Sequence, residues 1–194
     1  MNKKRVIINC VLALGVALVL LSVVFVALDY INQKSQIEEN AETVSTLKSL
    51  MPEPQNGVFN SLLNPEMPRQ EVNGDDFAGI IEIPLYGTEL PIYAEWNESK
   101  VDDFPCRYAG SVYNKTLIIG GTDSEGQFDF TKSISVGDKA FITDTSGAKF
   151  GFSVANIDIT DDIDQAISKN GSDLMLFVKN SYSFDYTVIY FTAN

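Results

Sequence analysis

A short run of residues near the middle of the chain leaves an apolar strand and enters a polar loop: TLIIGGTDSEGQFDF, residues 116–130. The apolar residues before Gly120-Gly121 predict a buried strand, and the loop after a strand is a common place for working residues. Thr122 stands at this strand end. The chain contains no histidine, so it supplies no imidazole here, and a threonine hydroxyl is a poor general base near neutral pH.

The two cysteines are the strongest potential nucleophiles. Cys10 lies in an apolar run near the N-terminus and Cys106 lies in a polar region far from it, so we expect no disulfide between them. Apart from Arg107, nothing near Cys106 in sequence would activate its thiol. A small half-buried side chain is therefore favoured over a reactive one. With unpaired cysteines and no histidine, a zinc site is excluded.

Lys179 and Ser181 form a second candidate pair, because residues two apart in a predicted strand share a face. A lysine kept neutral by its surroundings could act as the base for a serine nucleophile. Side chains two apart on a strand project in parallel, however, so a solvated lysine beside a turn serine is the favoured interpretation. Asp123, next to Thr122, is likewise interpreted as a carboxylate that caps the loop.

Acidic residues give the chain a formal net charge of -12. Nucleic acid is excluded as a partner because phosphate binding needs clustered cations. The acids at Asp102-Asp103 and at Asp161-Asp162-Asp164 could offer oxygens to Ca²⁺, but the spacing of a calcium-binding loop is missing. Solubility is their favoured role, and the sequence predicts no metal and no cofactor.

The N-terminal part of the chain has the pattern of a membrane anchor. An apolar run begins at Val6 and ends at Leu28, which exceeds the roughly 20 residues needed to cross a hydrocarbon core. Three cations precede the run and an acid follows it, so the positive-inside rule predicts a cytoplasmic N-terminus and an extracellular remainder. The alternative is a cleaved signal peptide, whose apolar region is usually only about 7–15 residues long.

Residues 29–51 are mostly polar but carry an apolar residue every three or four positions, which predicts a helical stalk with one apolar face. The face comprises Ile37, Ala41, Val44, Leu47 and Met51. It could serve as a self-association seam or pack on the chain's own domain, and the pattern supports both. Pro52 ends the helix, and residues 52–74, with four prolines among polar residues, predict a linker.

Residues 75–194 predict a mostly β domain with at least seven strands separated by turn residues. The strand candidates are FAGIIEI, ELPIYA, TLIIGG, KAFITD, KFGFSVANIDI, LMLFVKN and DYTVIYFTA. So many strands with so little helix in about 120 residues predict a closed or nearly closed barrel, which removes exposed strand edges. The predicted barrel core is Ile81, Ile83, Leu117, Ile118, Phe141, Leu176 and Val188.

Three local signals refine this domain. Thr145-Ser146-Gly147 predicts a hairpin turn that joins two antiparallel strands. Asn97 predicts the N-cap of a short helix over residues 97–101, and Thr160 predicts the N-cap of another over residues 160–163.

Four blocks of this domain resemble, in sequence and in order, those of a sortase catalytic domain. They read GIIEIPLYGTELPIYAEW, YAGSVYNKTLIIGGTDS, FTKSISVGDKAFI and LFVKNSYSF. The resemblance covers residues 77–194. Sortases are membrane-anchored cysteine transpeptidases of Gram-positive surfaces, built on an eight-stranded β-barrel. The resemblance therefore implies a single-pass membrane protein with an extracellular sortase-like barrel.

Sortase chemistry needs a thiolate, a histidine and an arginine, and the resemblance implies where each should stand. The histidine position matches Thr122. The cysteine position matches Ser181 when SYSF is aligned, and Asn180 when the preceding apolar residues are aligned. The arginine position falls at the start of the last strand, where the chain has Tyr186 and Thr187, and we assign Thr187. The resemblance thus implies that all three catalytic residues are replaced.

These replacements favour a sortase-fold pseudoenzyme that binds or scaffolds in cell-surface protein or envelope assembly, since peptide recognition and bond cleavage use different residues. The expected partners are the membrane, a peptide or surface-protein ligand in a groove, and an envelope protein. The alternative is an enzyme with altered Ser/Lys hydrolase or transpeptidase chemistry on the same fold.

Overall fold

The computed structural model describes residues 3–59 and 66–194. In chain order its helices and strands are α1 (Lys3–Leu50), β1 (Gln55–Asn56), β2 (Gln70–Val72), β3 (Asp75–Ile83), β4 (Thr88–Tyr93), β5 (Cys106–Ala109), β6 (Leu117–Thr122), β7 (Lys139–Asp144), β8 (Ala148–Thr160), α2 (Ile163–Ser168), β9 (Leu174–Lys179) and β10 (Tyr186–Ala193). Two 3₁₀ turns, Pro84–Tyr86 and Asp129–Lys132, complete the list.

Eight of these strands close into a barrel. Going round the ring, neighbours pair in the order β3, β4, β5, β6, β9, β10, β8 and β7, and β7 then pairs with β3. The pairs β6–β9 and β4–β5 are parallel, and the other six pairs are antiparallel. Closure pairs every edge within the ring. The predicted mostly β fold with an eight-stranded barrel is confirmed.

The barrel interior takes most of the predicted core. Ile81, Ile83, Leu117 and Leu176 are fully buried in the main interior cluster. Because side chains alternate along a strand, Ile118 and Val188 point the other way, into a smaller cluster outside the wall and under α2. Phe141 was wrongly predicted as core: it is half-buried, and the Lys149 ammonium lies 4.8 Å from its ring centroid.

The predicted hairpin is confirmed, since β7 and β8 are antiparallel neighbours joined by residues 145–147. The helix predicted at residues 97–101 is wrong. There the Asn97 side chain accepts hydrogen bonds from Ser99, at 2.9 Å from its backbone N and 2.8 Å from its Oγ, and Pro105 follows shortly. The chain makes turns instead, because a proline and a local side-chain bond both compete with helix.

The second short helix exists, but its cap was placed wrongly. Helix α2 begins at Ile163, and Asp162 is its N-cap, accepting from the Gln165 backbone N at 2.9 Å. Thr160 remains in strand β8, where it pairs with Tyr186. The eighth barrel strand, β5, was missed because its four residues, CRYA, carry little β pattern. Within residues 52–74, β1 and β2 add to the barrel beside β8 and β3.

Helix α1 runs for 48 residues without a break. Its N-terminal half is long and apolar enough to cross a membrane, and from Val11 to Leu28 its large apolar side chains are exposed. Apolar side chains in such numbers are favourable only in contact with lipid or another apolar surface.

The C-terminal half of α1 packs on the barrel wall. Val44 and Leu47 are buried in a cluster that includes Phe77, Ile80 and Phe104. The stalk's apolar face therefore packs on the chain's own domain. Its buried positions differ in part from the predicted ones: Ala41 and Ile37 are exposed, whereas Asn40 and Thr43 are buried.

We expect Leu47→Ala to lower the free energy of unfolding of the full chain by about 2–3 kcal/mol, because Leu47 is fully buried and its truncation leaves a cavity between helix and barrel. Thermal melting of the detergent-solubilised protein measures the change. Leu50→Ala is the matched control, since Leu50 is 53% exposed. Equal melting temperatures for the two variants would contradict the docked arrangement.

Candidate functional site

Three residues on adjacent strands form one row across the barrel wall. Thr122 at the end of β6 pairs with Lys179 at the end of β9, and Lys179 pairs with Tyr186 at the start of β10. Two residues earlier on β6 and β9, Gly120 and Phe177 are also paired, and Phe177 lies in the cluster outside the wall. Since the side-chain period of a strand is two, the row of Thr122, Lys179 and Tyr186 faces outward.

This row borders a groove of about 290 Å³, which we call the outer groove. It is lined by Trp96, Glu98, Val101, Asp102, Gly121, Thr122, Phe177, Lys179 and Tyr186. Three of these side chains are aromatic, and Trp96 packs against Phe177 with ring centroids 5.5 Å apart. Aromatic lining with a few polar or charged groups is typical of a ligand-binding groove.

A buried glutamine positions Thr122. The Gln127 side chain is 2% exposed, and its Oε1 accepts from the Thr122 backbone N at 2.5 Å and from the Thr122 Oγ1 at 3.3 Å. The Gln127 Nε2 donates to the Val101 carbonyl at 3.1 Å. This link joins the strand end to the loop that carries Val101 and Asp102, so both sides of the outer groove are fixed relative to each other.

The other assigned residues lie together on a different surface. Thr187 Oγ1 donates to the Asn180 Oδ1 at 3.1 Å, and Asn180 Nδ2 donates to the Asp185 Oδ1 at 2.6 Å. The Asn180 and Ser183 side chains lower the pKa of Asp185, because both donate to its carboxylate. These residues line a second depression of about 470 Å³, which we call the mouth groove.

Ser181 is hydrogen-bonded to a buried carboxylate. Its backbone N donates to the Asp123 Oδ1 at 2.7 Å, and its hydroxyl donates to the same oxygen. The Asp123 side chain is 3% exposed and lies 3.7 Å from the Lys132 ammonium. Asp123 thus ties together the loops that follow β6 and β9, as the loop-capping interpretation proposed.

The structure therefore divides the four residues that the sortase resemblance assigned. Asn180 and Thr187 are in contact, Ser181 contacts Asp123, and Thr122 opens onto the outer groove. Side chains that act on one substrate must share a face, and those that share the outer face with Thr122 are Lys179 and Tyr186. Sequence reasoning missed these two as partners because the parallel pairing of β6 with β9 sets the register, and no local pattern encodes it.

The structure gives Lys179 and Ser181 different surroundings. Strand β9 ends at Lys179, so the two residues do not share a strand face. Lys179 is exposed and lines the outer groove, whereas the Ser181 hydroxyl is bonded to Asp123. An acid–base role would require hydrogen-bond reach between the two groups in some state of the protein.

Cys106 is fully buried rather than half-buried. Burial raises the pKa of its thiol to about 11, with a smaller contribution in the same direction from Asp103. Its Sγ lies 3.4 Å from the Phe104 carbonyl. Only the thiolate is a good nucleophile, so this environment opposes reactivity.

Two of the candidate calcium ligands, Asp103 and Asp162, have other contacts. Asp103 accepts from the Gln36 side chain at 3.4 Å, and Asp162 caps α2. Among residues 3–59 and 66–194, no three His, Cys, Asp or Glu side chains come together as a metal-binding group.

Comparisons with solved structures identify the fold. Sortase A from Corynebacterium diphtheriae superimposes with a TM-score of 0.54 at 14% identity, covering 84% of this chain and 84% of that one. Sortase C1 from Streptococcus agalactiae gives a TM-score of 0.52 at 18% identity, with coverages of 64% and 70%. A Clostridium perfringens sortase C, solved with its C-terminal cell wall sorting motif, gives 0.51 at 16% identity, with coverages of 84% and 87%. No protein-family model and no curated protein sequence matches the chain.

The closed barrel, its strand order and these superpositions define a protein with a sortase-like fold. The fold expected from the sequence blocks is confirmed. At identities of 14% to 18%, the likeness establishes the architecture alone.

Proposed function

We propose that this chain is a membrane-anchored, extracytoplasmic sortase-like protein that binds an extended peptide in the outer groove without cleaving it. It would act as a binding or scaffolding module in cell-surface protein or envelope assembly. The residues proposed to contact the peptide are Thr122, Lys179 and Tyr186, which form the row at the groove.

The observation that carries the proposal is the chemistry of that row. The row offers a hydroxyl, an ammonium and a phenol, whereas chemistry of the sortase type needs an imidazole, a thiolate and a guanidinium. Cys106, the cysteine of the barrel, is fully buried, and burial raises the pKa of its thiol. The row holds no imidazole, the group that most often supplies general acid–base assistance worth about 10²–10⁴-fold.

The outer groove offers surface to a peptide ligand. Trp96, Phe177 and Tyr186 offer aromatic surface, and Gly121 also lines the groove. The Clostridium perfringens neighbour was solved with a sorting-motif peptide, which supports a peptide as the ligand class here. Pockets for alternate side chains of an extended chain give specificity in such recognition.

Tryptophan fluorescence tests binding directly, because the chain has one tryptophan and it lines the groove. Sorting-signal peptides are titrated into the detergent-solubilised chain with an amine acceptor present, and products are followed by mass spectrometry. We expect a saturable change in emission and no turnover. Lys179→Ala should weaken binding at least about fivefold, whereas Lys169→Ala, an exposed lysine after α2, should leave it unchanged.

The same assay discriminates the alternatives. Turnover that is lost in Ser181→Ala or Lys179→Ala, with labelling by a serine-directed fluorophosphonate probe, would establish the Ser/Lys enzyme. Turnover lost only in Cys106→Ala would show that the site has been assigned to the wrong residues. Absence of both binding and turnover would reject the peptide-binding proposal and favour a barrel that only packs on an envelope protein.

A further inference from the structure

Two aromatic side chains at the tip of the β9–β10 loop have no cover. Tyr182 is 95% exposed and Phe184 is 102% exposed. The loop backbone is nevertheless tied down on both sides: the Asn180 N donates to the Asp185 carbonyl at 3.1 Å, and Ser181 is bonded to Asp123. A tethered loop that presents two adjacent aromatic residues to solvent indicates a surface that another apolar phase covers.

The path of α1 places this region of the barrel near the membrane. Gln36 and Asn40 contact Asp103, and Ile37 packs against Gly126. From Leu28, the end of the apolar run, Gln36 is eight residues and about 12 Å away along the helix. The interfacial layer on each side of the hydrocarbon core accounts for about 5–8 Å of that distance. The loops that carry Asp103 and Gly126 therefore lie close to the lipid headgroups.

The aromatic tip is linked to those same loops. The Lys132 ammonium lies 5.8 Å from the Tyr182 ring centroid and 3.7 Å from the Asp123 carboxylate. Asp123 stands three residues before Gly126. The opposite end of the docked helix is much further away, since Leu50 lies 22 residues and about 33 Å beyond Leu28. The tip thus belongs to the membrane-proximal side of the barrel.

We propose that Tyr182 and Phe184 insert into the interfacial region of the bilayer that α1 crosses. The proposal rests on the anchor in the proposed function, but it does not depend on the peptide site. Aromatic rings favour the headgroup level, where their apolar bodies leave water while polar groups remain hydrated. Because the chain has a net charge of -12, it is not attracted electrostatically to anionic lipid. We therefore attribute the contact to the aromatic rings and expect it without negatively charged headgroups.

A second membrane contact would restrain the barrel. The helix alone leaves rotation and tilt of the barrel open, and two points of attachment remove much of that freedom. The mouth groove, which Tyr182 and Ser183 help to line, would then open toward the membrane surface.

A depth-dependent quenching experiment tests the insertion. The full chain, in a Trp96→Phe background, is reconstituted in zwitterionic vesicles that contain lipids brominated near the headgroup end of the acyl chains. Four single reporters are compared: Phe184→Trp, Tyr182→Trp, Ile31→Trp and Leu50→Trp. Every reporter position is exposed, so the reporters themselves should not disturb folding, and thermal melting checks the background.

We expect at least about twofold quenching for the two loop reporters and for Ile31→Trp, which lies three residues beyond the apolar run, and little for Leu50→Trp. Quenching at Ile31 but not at the loop would overturn the insertion while leaving the anchor intact. Absence of quenching at Ile31 would overturn the anchor and the insertion together. A loop reporter whose emission is blue-shifted but not quenched would have a protein neighbour instead of lipid. That result would also overturn the insertion.

Discussion

Asp144→Ala should lower the free energy of unfolding by about 3–5 kcal/mol, because several hydrogen-bond donors lose one charged acceptor at once. The Asp144 carboxylate is fully buried. One oxygen accepts from the Ser146 backbone N at 2.8 Å and from the Ala148 backbone N at 3.0 Å, and the other accepts from the Tyr113 hydroxyl. Alanine would leave these donors without the acceptor that the fold gives them, at a position where the native side chain is fully buried.

The loss of stability should come from weaker contacts between the segments that close the barrel. Asp144 holds the β7–β8 turn, and through Tyr113 it also holds the loop before β6. Burial raises the pKa of the Tyr113 hydroxyl, and the hydrogen bond from this hydroxyl to Asp144 raises it further. Denaturant unfolding of the full chain in detergent measures the loss. Asp161→Ala, at an exposed position before α2, is the control and should change stability by less than about 0.5 kcal/mol. A loss equal to that of the control would contradict the role assigned to Asp144.

Gly79→Ala should lower stability by about 3 kcal/mol or more, because β3 and β7 come too close at this position for a side chain. Gly79 has φ of 152°, and an added Cβ would lie 2.2 Å from the Thr143 carbonyl oxygen and 2.9 Å from the Asp144 Cα. Both are backbone atoms of a paired strand, so neither can turn aside as a flexible side chain would. The substitution would break pairing where β3 bulges against β4.

Gly171→Ala is the matched control for that substitution. No atom lies within 4 Å of an added Cβ at Gly171, so this variant should melt within about 2 °C of the unmodified protein. Circular dichroism in the far ultraviolet, followed with temperature, distinguishes the two. A Gly79→Ala protein that melts like the control would mean that β3 and β7 are further apart than described.

A docked stalk and an outward-facing groove have consequences for the proposed binding role. The loop joining β4 to β5 is bonded to Gln36 and Asn40 of α1 and, through Gln127, to Thr122. One side of the outer groove is therefore attached to α1, the helix that the proposed function places in the membrane. A peptide that engages the groove would meet it at a defined distance from the bilayer, as expected for a partner tethered in the same membrane.

Much of the architecture was predictable because it follows from local patterns. The length of the apolar run, the helical spacing after it and the β-rich runs of the last 120 residues each report on their own secondary structure. Seven of the eight barrel strands were predicted this way, as was the β7–β8 turn. The absence of histidine is a property of the composition and already excluded imidazole from any site in this chain.

The membership of the candidate site depended on the tertiary structure, because strand register is a long-range property. Thr122 and Lys179 are 57 positions apart in sequence, and only the parallel pairing of β6 with β9 makes them neighbours. A shift of one residue moves a side chain to the opposite face, which is why Asn180 and Thr187 lie at the mouth groove while Lys179 and Tyr186 line the outer one. The packing of the stalk's apolar face likewise depended on the surface that it contacts. The sequence determined that a helix with an apolar face follows the apolar run. Only the folded barrel, in which Phe77 and Ile80 of β3 face this helix, determined that its apolar face packs within the same chain.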